Sequence, residues 1–251
     1  KKKQYNFEIP NNFHRETLKK IDYYFTLNNK ILAISKQKLK NIRGKIIMTG
    51  WPRVDLWKKK YKFLYKKEIE DIKKNYKNFI LFNSDFSTIT KNYKEEINRY
   101  YFFNFDENEK LKKKYLEERE NFAKNCYLEF LEFKKFLIKF ANKNKKQNIV
   151  IRPHPSENLR TWHDAVSGLE NVFIEPPIGD VTPWIYASKC VLHRGCTTGL
   201  QALFMNKPSA FILLNKNLKT KQPFMEKSIV YDICDKVTNI KDLELWVKKN
   251  K

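Results

Sequence analysis

The sequence has no long hydrophobic stretch and no recognisable secretion signal. None of its apolar runs approaches the roughly 20 residues of a membrane-spanning helix, which excludes a transmembrane protein. Lys1, Lys2 and Lys3 are followed by no apolar segment, so the start of the sequence does not resemble a signal peptide. The chain begins with Lys rather than Met, which suggests a fragment of a longer protein.

Cysteine is scarce, and the usual metal and nucleotide motifs are missing. The four cysteines lie far apart with no CxxC pair, which favours reduced thiols over a zinc or iron–sulfur site. No DxD or HxxxH pattern occurs, so we expect no metal site. The absence of a P-loop and of GxGxxG argues against an ordinary ATPase and an NAD enzyme. We therefore expect neither a metal nor an organic cofactor.

Positive charge is abundant, but arginine is not. Of 251 residues, 51 are basic and 28 acidic, and only 8 of the basic residues are Arg. Residues 1–147 carry a net charge of +19 and residues 148–251 only +4. Such a field attracts phosphate, nucleic acid or an anionic membrane surface. Because specific nucleic-acid readers use bidentate Arg, we expect no specific nucleic-acid partner. We favour the interpretation that the lysines form a solvated face. A peripheral contact with an anionic membrane stays open.

Short apolar runs alternate with helical periodicity along most of the chain. This alternation predicts an α/β fold with a Rossmann-like parallel sheet and flanking helices. We divide the chain into a Lys-rich helical and α/β segment, 1–147, and a Rossmann-like domain, 148–251. Because a 35-residue helix is unusual, the stretch 109–143 could be broken near 121–125. The predicted strands are 45–50, 78–82, 148–152, 172–175, 190–193 and 209–214, and the predicted helices 14–28, 69–76, 109–143, 157–166, 180–188, 197–205 and 239–249.

A Pro-His-Pro turn follows the strand predicted at 148–152. In doubly wound sheets, ligands bind beyond the carboxyl ends of the strands. The flanking prolines hold His154 in an extended backbone at such an end, where it could donate a hydrogen bond to a phosphate. Arg152 would supply positive charge. The alternative is a structural turn with a surface histidine.

A second polar segment, His193-Arg194-Gly195-Cys196-Thr197-Thr198-Gly199, follows the strand predicted at 190–193. It has the pattern of a strand, a glycine turn and a helix that opens with two hydroxyl residues. Free amides and the helix dipole at such an N-terminus bind anions, and Thr197 and Thr198 add hydroxyl donors. The alternative is a capping threonine with a packing glycine.

A third segment, residues 81–88, places a carboxylate just past a buried strand. Asp85 lies there beside small polar residues and could act as a nucleophile or as a general base. An aspartate that caps a turn would give the same spacing, so both interpretations stay open at this point.

Taken together, these segments resemble a family known as surface carbohydrate biosynthesis proteins. The resemblance extends over nearly the whole chain, in order and spacing. It is carried by Thr-Gly-x-Pro-Arg-x-Asp-Leu at 49–56, Asn-x-Asp-Phe at 83–86, Arg-Pro-His-Pro-Ser-Glu-Asn at 152–158, Val-Thr-Pro-Trp-Ile at 181–185 and His-x-Gly-Cys-Thr-Thr at 193–198.

The arrangement is also similar to the nucleotide-binding half of GT-B glycosyltransferases that use CMP-sugars, including sialyltransferases and retaining β-Kdo transferases. The resemblance implies a metal-independent transferase that moves Kdo or a related ulosonic acid to a surface polysaccharide, such as capsule, or to a glycolipid such as lipopolysaccharide. Residues 148–251 would bind the donor, and the protein would work in the cytoplasm, at the inner face of the membrane. Asp85 and His154 would be catalytic, and the donor nucleotide and phosphate would contact Arg152, His154, Glu157, Asn158, His193, Gly195, Thr197 and Thr198.

Two departures from the family pattern stand out. Trp51 occupies a place where Asn is expected, and family members are expected to be longer, with an additional N-terminal Rossmann-like part that this chain lacks. Two other functions remain compatible with the sequence. One is a glycerophosphotransferase of the teichoic-acid type that uses CDP-glycerol. The other is a non-catalytic basic module that binds polyanions or a membrane surface.

Overall fold

The computed structural model describes residues 15–86, 109–214 and 229–250. The chain forms two compact units, here called the smaller unit (Lys1–Leu56 and Ile97–Glu117) and the larger unit (Trp57–Glu96 and Glu118–Lys251). The boundary predicted between residues 147 and 148 differs from this division. The strand Phe79–Asn83 precedes that boundary but belongs to the sheet of the larger unit. Residues 87 and 88 of the third predicted segment lie outside the described residues.

The smaller unit contains two parallel strands that begin and end a β-α-β segment. The helix expected at 14–28 is wrong, because only its beginning is helical and Tyr23–Thr26 pairs with Lys45–Met48. The strand is rich in aromatic residues, which favour a pleated surface. The Asn28 side chain then caps the next helix by accepting the Ile31 amide. The elements are α1 (Arg15–Leu18), β1 (Tyr23–Thr26), α2 (Asn29–Lys38), β2 (Lys45–Met48) and α3 (Pro52–Leu56).

Residues 57–250 contain the remaining described elements. The helix predicted at 109–143 has these bounds and is continuous, and each predicted strand from 78 onward lies within three residues of its observed bounds. The elements are a 3-10 helix (Lys59–Tyr65), α4 (Lys66–Tyr76), β3 (Phe79–Asn83), α5 (Glu109–Lys143), β4 (Asn148–Arg152), α6 (Leu159–Val166), β5 (Val172–Ile174), α7 (Thr182–Ala187), β6 (Cys190–His193), α8 (Thr197–Phe204), β7 (Ser209–Ile212), α9 (Ile229–Ile233), β8 (Asp235–Val237) and α10 (Ile240–Lys249).

The six strands β3 to β8 form one sheet in which every pair is parallel. The order across the sheet is β5-β4-β3-β6-β7-β8, so the chain starts in the middle, runs to one edge and then returns to build the other half. This is the strand order of the Rossmann fold, and the direction of winding reverses between β3 and β6. The predicted α/β, Rossmann-like architecture is therefore confirmed.

The centre of this sheet is covered on both faces. All five residues of β3 are buried, as expected for a central parallel strand that reads as a continuous apolar run. Trp162 on α6 lies in contact with aromatic rings from β3 and α5, and the Phe130 and Trp162 centroids are 5.1 Å apart. The Phe82 and Phe133 rings stack at 4.2 Å. This cluster gives the loop after β3 a tightly packed base.

Within the described residues, no helix combines the length and the hydropathy needed to cross a bilayer. The four cysteines are thiols that are not joined in disulfides.

Candidate functional site

The three polar segments singled out in the sequence meet at the carboxyl edge of the sheet. Asn83, the last residue of β3, lies opposite Arg152 of β4 on one side and His193 of β6 on the other. Neighbouring strands are about 4.8 Å apart, so the three following loops start within about 10 Å of one another. The gap between β3 and β6 is the switch point at which ligands bind in open α/β sheets.

The turn after β6 presents the start of α8 at this edge. Gly195 has φ +95°, a left-handed conformation that glycine adopts without a steric penalty. Cys196 is the N-cap residue and its side chain makes no capping hydrogen bond. Thr197 is exposed and Thr198 is half-buried. The first amides of a helix have no intrahelical acceptor, and anion binding at this helix start stays a prediction.

His193 lies beneath this turn rather than at its surface. Its ring is fully buried, and Nδ1 accepts the Gly195 amide at 3.0 Å. The proton of the neutral ring is therefore on Nε2, for which the described residues provide no hydrogen-bond partner. Burial lowers the pKa of His193 to about 4, so the ring is neutral at pH 7. In place of the direct phosphate contact expected from the sequence, the ring holds the backbone of the turn.

The loop after β4 exposes His154. Its Nδ1 accepts the Ser156 amide at 3.2 Å and lies 2.7 Å from the Ser156 hydroxyl. Since a backbone amide can only donate, the neutral ring carries its proton on Nε2. The side chain thus offers an N–H donor on the exposed side of the loop, as the Pro-His-Pro pattern predicts.

Arg152 points away from this exposed surface. Its guanidinium is buried, donates to the Ile178 carbonyl at 2.8 Å and lies 5.2 Å from the Trp184 ring centroid. Burial lowers its pKa from the ordinary value. The expected phosphate contact is not present in this geometry, in which Arg152 instead fixes the loop between β5 and α7.

Glu157 and Asn158, expected near the nucleotide, have internal partners. The buried Glu157 carboxylate accepts the Ser84 hydroxyl at 2.5 Å, the Phe86 amide at 2.5 Å and the Trp162 indole N–H at 2.7 Å. Burial raises its pKa to about 7; the three hydrogen bonds oppose this rise and the charge of Asp85 adds to it. The Asn158 side chain caps α6 by accepting the Arg160 amide.

Asp85 is half-buried in the loop after β3, at the switch point. Its backbone carbonyl accepts a hydrogen bond from Arg194, a buried residue of the turn after β6. Arg194 also pairs with Glu129 on α5, and its guanidinium lies 4.7 Å from the Phe86 ring centroid. The sequence-based site did not include Arg194. In the sequence, only its position directly after a strand, within the His-x-Gly motif, indicates that Arg194 belongs to this edge.

Across the described ranges 15–86, 109–214 and 229–250, no group of three His, Cys, Asp or Glu residues is arranged to hold a metal ion. The polar groups of this edge are instead an aspartate, an exposed imidazole N–H and a helix start. Such a set can bind an anionic group and place a carboxylate beside it.

Comparisons with known proteins support the fold. No protein-family model matches the sequence, and no curated protein matches it. Among solved structures, the wall teichoic acid polymerase TagF is similar, with a TM-score of 0.52 and 15% identity over 99% of this chain and 51% of that one. A histidine variant of TagF is also similar, with a TM-score of 0.50 and 13% identity over 99% of this chain and 51% of that one. For Anabaena HepE in complex with UDP-glucose, the TM-score is 0.42 and the identity 11%, over 96% of this chain and 59% of that one.

At identities this low, the similarity to TagF is evidence for the fold alone. That fold agrees with the GT-B-type architecture expected from the sequence. The chain spans about half the length of the TagF structures that it matches.

Proposed function

We propose that this chain binds a nucleotide-activated donor at the carboxyl edge of its six-stranded sheet and takes part in transferring the activated group to a surface glycan or glycolipid. The observation that carries the proposal is the meeting of Asp85, His154 and the start of α8 at adjacent strand ends around the switch point. The GT-B-type fold supports it, because such folds bind ligands at this edge.

In this proposal the donor phosphate lies between His154 and the start of α8. His154 donates a hydrogen bond from Nε2, and the helix start supplies backbone amides together with the hydroxyls of Thr197 and Thr198. Gly195 allows the tight turn that presents these amides.

Asp85 is the candidate catalytic residue. In a retaining transferase its carboxylate would attack the anomeric carbon as the nucleotide leaves, forming a covalent glycosyl adduct. In an inverting transferase it would take the proton of the acceptor hydroxyl instead. Its location beside the switch point is compatible with either role.

A CMP-activated ulosonic acid, such as Kdo, is the donor that we favour, on the sequence resemblance. The acceptor would be a surface polysaccharide or glycolipid, and the chain would act in the cytoplasm, at the inner face of the membrane. The mechanism proposed for the described residues needs neither a metal nor an organic cofactor.

CDP-glycerol is the second candidate donor. The specific observation in its favour is the fold similarity to a wall teichoic acid polymerase. The same phosphate-binding elements would then hold the diphosphate, and a glycerophosphoryl group would be transferred in place of a sugar.

A thermal-shift screen with CMP, CDP, UDP, GDP, CMP-Kdo and CDP-glycerol tests the proposal. A ligand that binds only the native state raises its apparent stability, so stabilisation by CMP and CMP-Kdo supports a CMP-sugar. Stabilisation by CDP-glycerol without CMP-Kdo supports the second candidate. If no nucleotide stabilises the protein while heparin does so in a salt-dependent manner, both are wrong and a basic polyanion-binding module is favoured.

A further inference from the structure

We propose that Glu157 and Arg194 are positioning residues that hold the Asp85 carboxylate in a fixed orientation at the switch point. This inference rests on the proposed function insofar as Asp85 acts on a donor or an acceptor. The sequence resemblance would place Glu157 near the nucleotide, but the structure assigns it a different task. Arg194 has no role in the sequence-based site.

Glu157 holds the chain on both sides of Asp85. One carboxylate oxygen accepts the hydroxyl of Ser84, the residue before Asp85, and the other accepts the amide of Phe86, the residue after it. The Trp162 indole N–H binds the first of these oxygens and fixes the carboxylate itself. One buried side chain from the β4–α6 loop therefore spans the residue that carries the candidate catalytic group.

Arg194 holds the same residue from the other side of the switch point. Its guanidinium donates to the Asp85 carbonyl and forms a partly buried ion pair with Glu129 of α5. The guanidinium also lies over the Phe86 ring and is 3.9 Å from the Cys126 sulfur. The orientation of Arg194 is thereby fixed by α5 and by the loop after β3.

Through these contacts, groups from two other loops hold the three consecutive residues 84–86. The Ser84 side chain, the Asp85 carbonyl and the Phe86 amide each have a partner that is itself buried and hydrogen-bonded. Hydrogen bonds to charged groups in a buried site are strong, and a satisfied network gives a single conformation. Asp85 is half-buried and lies in the middle of this segment, and a fixed segment is what a group needs to meet a substrate in one geometry.

The first part of the test needs no donor. In wild type, Glu157→Gln and Ser84→Ala proteins, amide exchange at Phe86 and the Trp162 indole resonance are followed by NMR. Glutamine keeps the size of the side chain but can accept with only one of its two terminal atoms. We expect exchange at Phe86 at least tenfold faster in Glu157→Gln, with the Leu81 amide in β3 unchanged. Unaltered Phe86 exchange and an unaltered Trp162 resonance in both variants would overturn the proposal.

The second part measures turnover with whichever of CMP-Kdo and CDP-glycerol stabilises the protein. Glu157→Gln should lower kcat on the order of tenfold to a hundredfold and leave KM within twofold, because the donor contacts lie elsewhere. Glu170→Gln, an exposed glutamate beyond α6, is the matched control and should change neither constant. A general loss of folding would instead reduce the active fraction, which is measured by titration with tightly bound nucleotide.

A double-mutant cycle separates positioning from a merely structural role. If Glu157 acts through Asp85, the Glu157→Gln substitution should not lower further the residual kcat that an Asp85→Asn protein retains. Additive losses would overturn the positioning role. If neither donor supports turnover, the proposed function fails while the exchange measurements still decide whether Glu157 fixes the segment around Asp85. Arg194 variants are a poorer first choice, since they also remove the ion pair between Arg194 and Glu129.

Discussion

The ring of His193 lies so close to the Cα of Gly199 that no larger residue fits there without a shift. A Cβ built on Gly199 would be 2.3 Å from His193 Nε2 and 2.5 Å from Cε1. The glycine in the first turn of α8 therefore allows the helix to approach β6 over a buried imidazole. That imidazole in turn holds the amide of Gly195, so one contact sets the position of the whole helix start.

Gly199→Ala should destabilise the protein by about 1–3 kcal/mol, because an overpacked contact forces side chains or backbone to move. Chemical denaturation monitored by circular dichroism measures this change. In a His193→Ala background the same substitution should be neutral or stabilising, since space is available and Ala favours helix over Gly by about 1 kcal/mol. Equal destabilisation in both backgrounds would mean that the ring is not the obstacle.

The stability of the protein should respond to pH through Glu157. Burial raises the pKa of this carboxyl from 4.5 to about 7, so between these values the native state keeps a proton that the unfolded chain has released. Stability from this group is full below pH 4.5 and is lost as the pH rises towards 7. At about 1.4 kcal/mol per pKa unit, the change is about 3 kcal/mol. The free energy of unfolding of Glu157→Gln, relative to wild type, should rise by this amount over that range.

The groups that act on the Glu157 carboxyl include the Asp85 carboxylate and the Trp162 indole N–H, and the Cys126 thiol is nearby. Arg194 acts on the Cys126 thiol in turn. If the difference between Glu157→Gln and wild type is constant from pH 4.5 to 7, the carboxyl does not titrate in this range.

His193 should give the opposite slope. Burial lowers its pKa from 6.5 to about 4, so between these values the unfolded chain takes up a proton that the native state does not bind. Stability is full above pH 6.5 and is lost as the pH falls towards 4. His193→Asn, which keeps an acceptor for the Gly195 amide, should remove this dependence. Unfolding curves at half-unit pH intervals would reveal it, and a pH-independent difference from wild type would contradict it.

His154→Ala should weaken the binding of CMP by about 1.5–3 kcal/mol, which is roughly ten- to hundredfold in Kd, if a hydrogen bond to a charged phosphate is lost. Isothermal titration calorimetry measures the change. His163→Ala, an exposed histidine on α6, is the matched control. Thr197→Ala should also weaken binding, and equal affinity in wild type, His154→Ala and Thr197→Ala proteins would contradict the phosphate position.

Asp85→Asn should fold and bind CMP as wild type does but lose turnover, because both candidate roles require the ionised carboxylate. Asp164→Asn, an exposed aspartate on α6, serves as the control. Incubation with donor followed by mass spectrometry distinguishes the two roles. A sugar-sized mass increment on the Asp85 peptide identifies a nucleophile, and its absence in an active enzyme favours a general base. Full activity in Asp85→Asn would leave Asp85 as a turn-capping residue only.

The positions of the sheet strands from 78 to 214 could be predicted from the sequence because each depends on a short local pattern. Runs such as Asn148–Arg152 and Cys190–His193 are apolar and end at proline, glycine or charged residues, which stop a strand wherever it lies in the fold. The exposure of His154 and the helix start at Thr197 follow from neighbours within two or three residues. The helix predicted over β1 is wrong because Leu18, Ile21 and Phe25 have helical spacing, whereas pairing with β2, about 20 residues away, makes this segment a strand.

The partners of the charged residues could not be predicted in this way. Whether Glu157 faces a nucleotide or the loop after β3 depends on contacts across 71 and 73 residues, and Arg194 reaches Glu129 across 65. By itself, the sequence determined that strands and helices alternate and that polar groups stand at the strand ends. Only the tertiary structure decided which of these groups are buried, because the strand order brings β4, β3 and β6 side by side. Glu157 and Arg194 then find buried partners that are distant in the sequence.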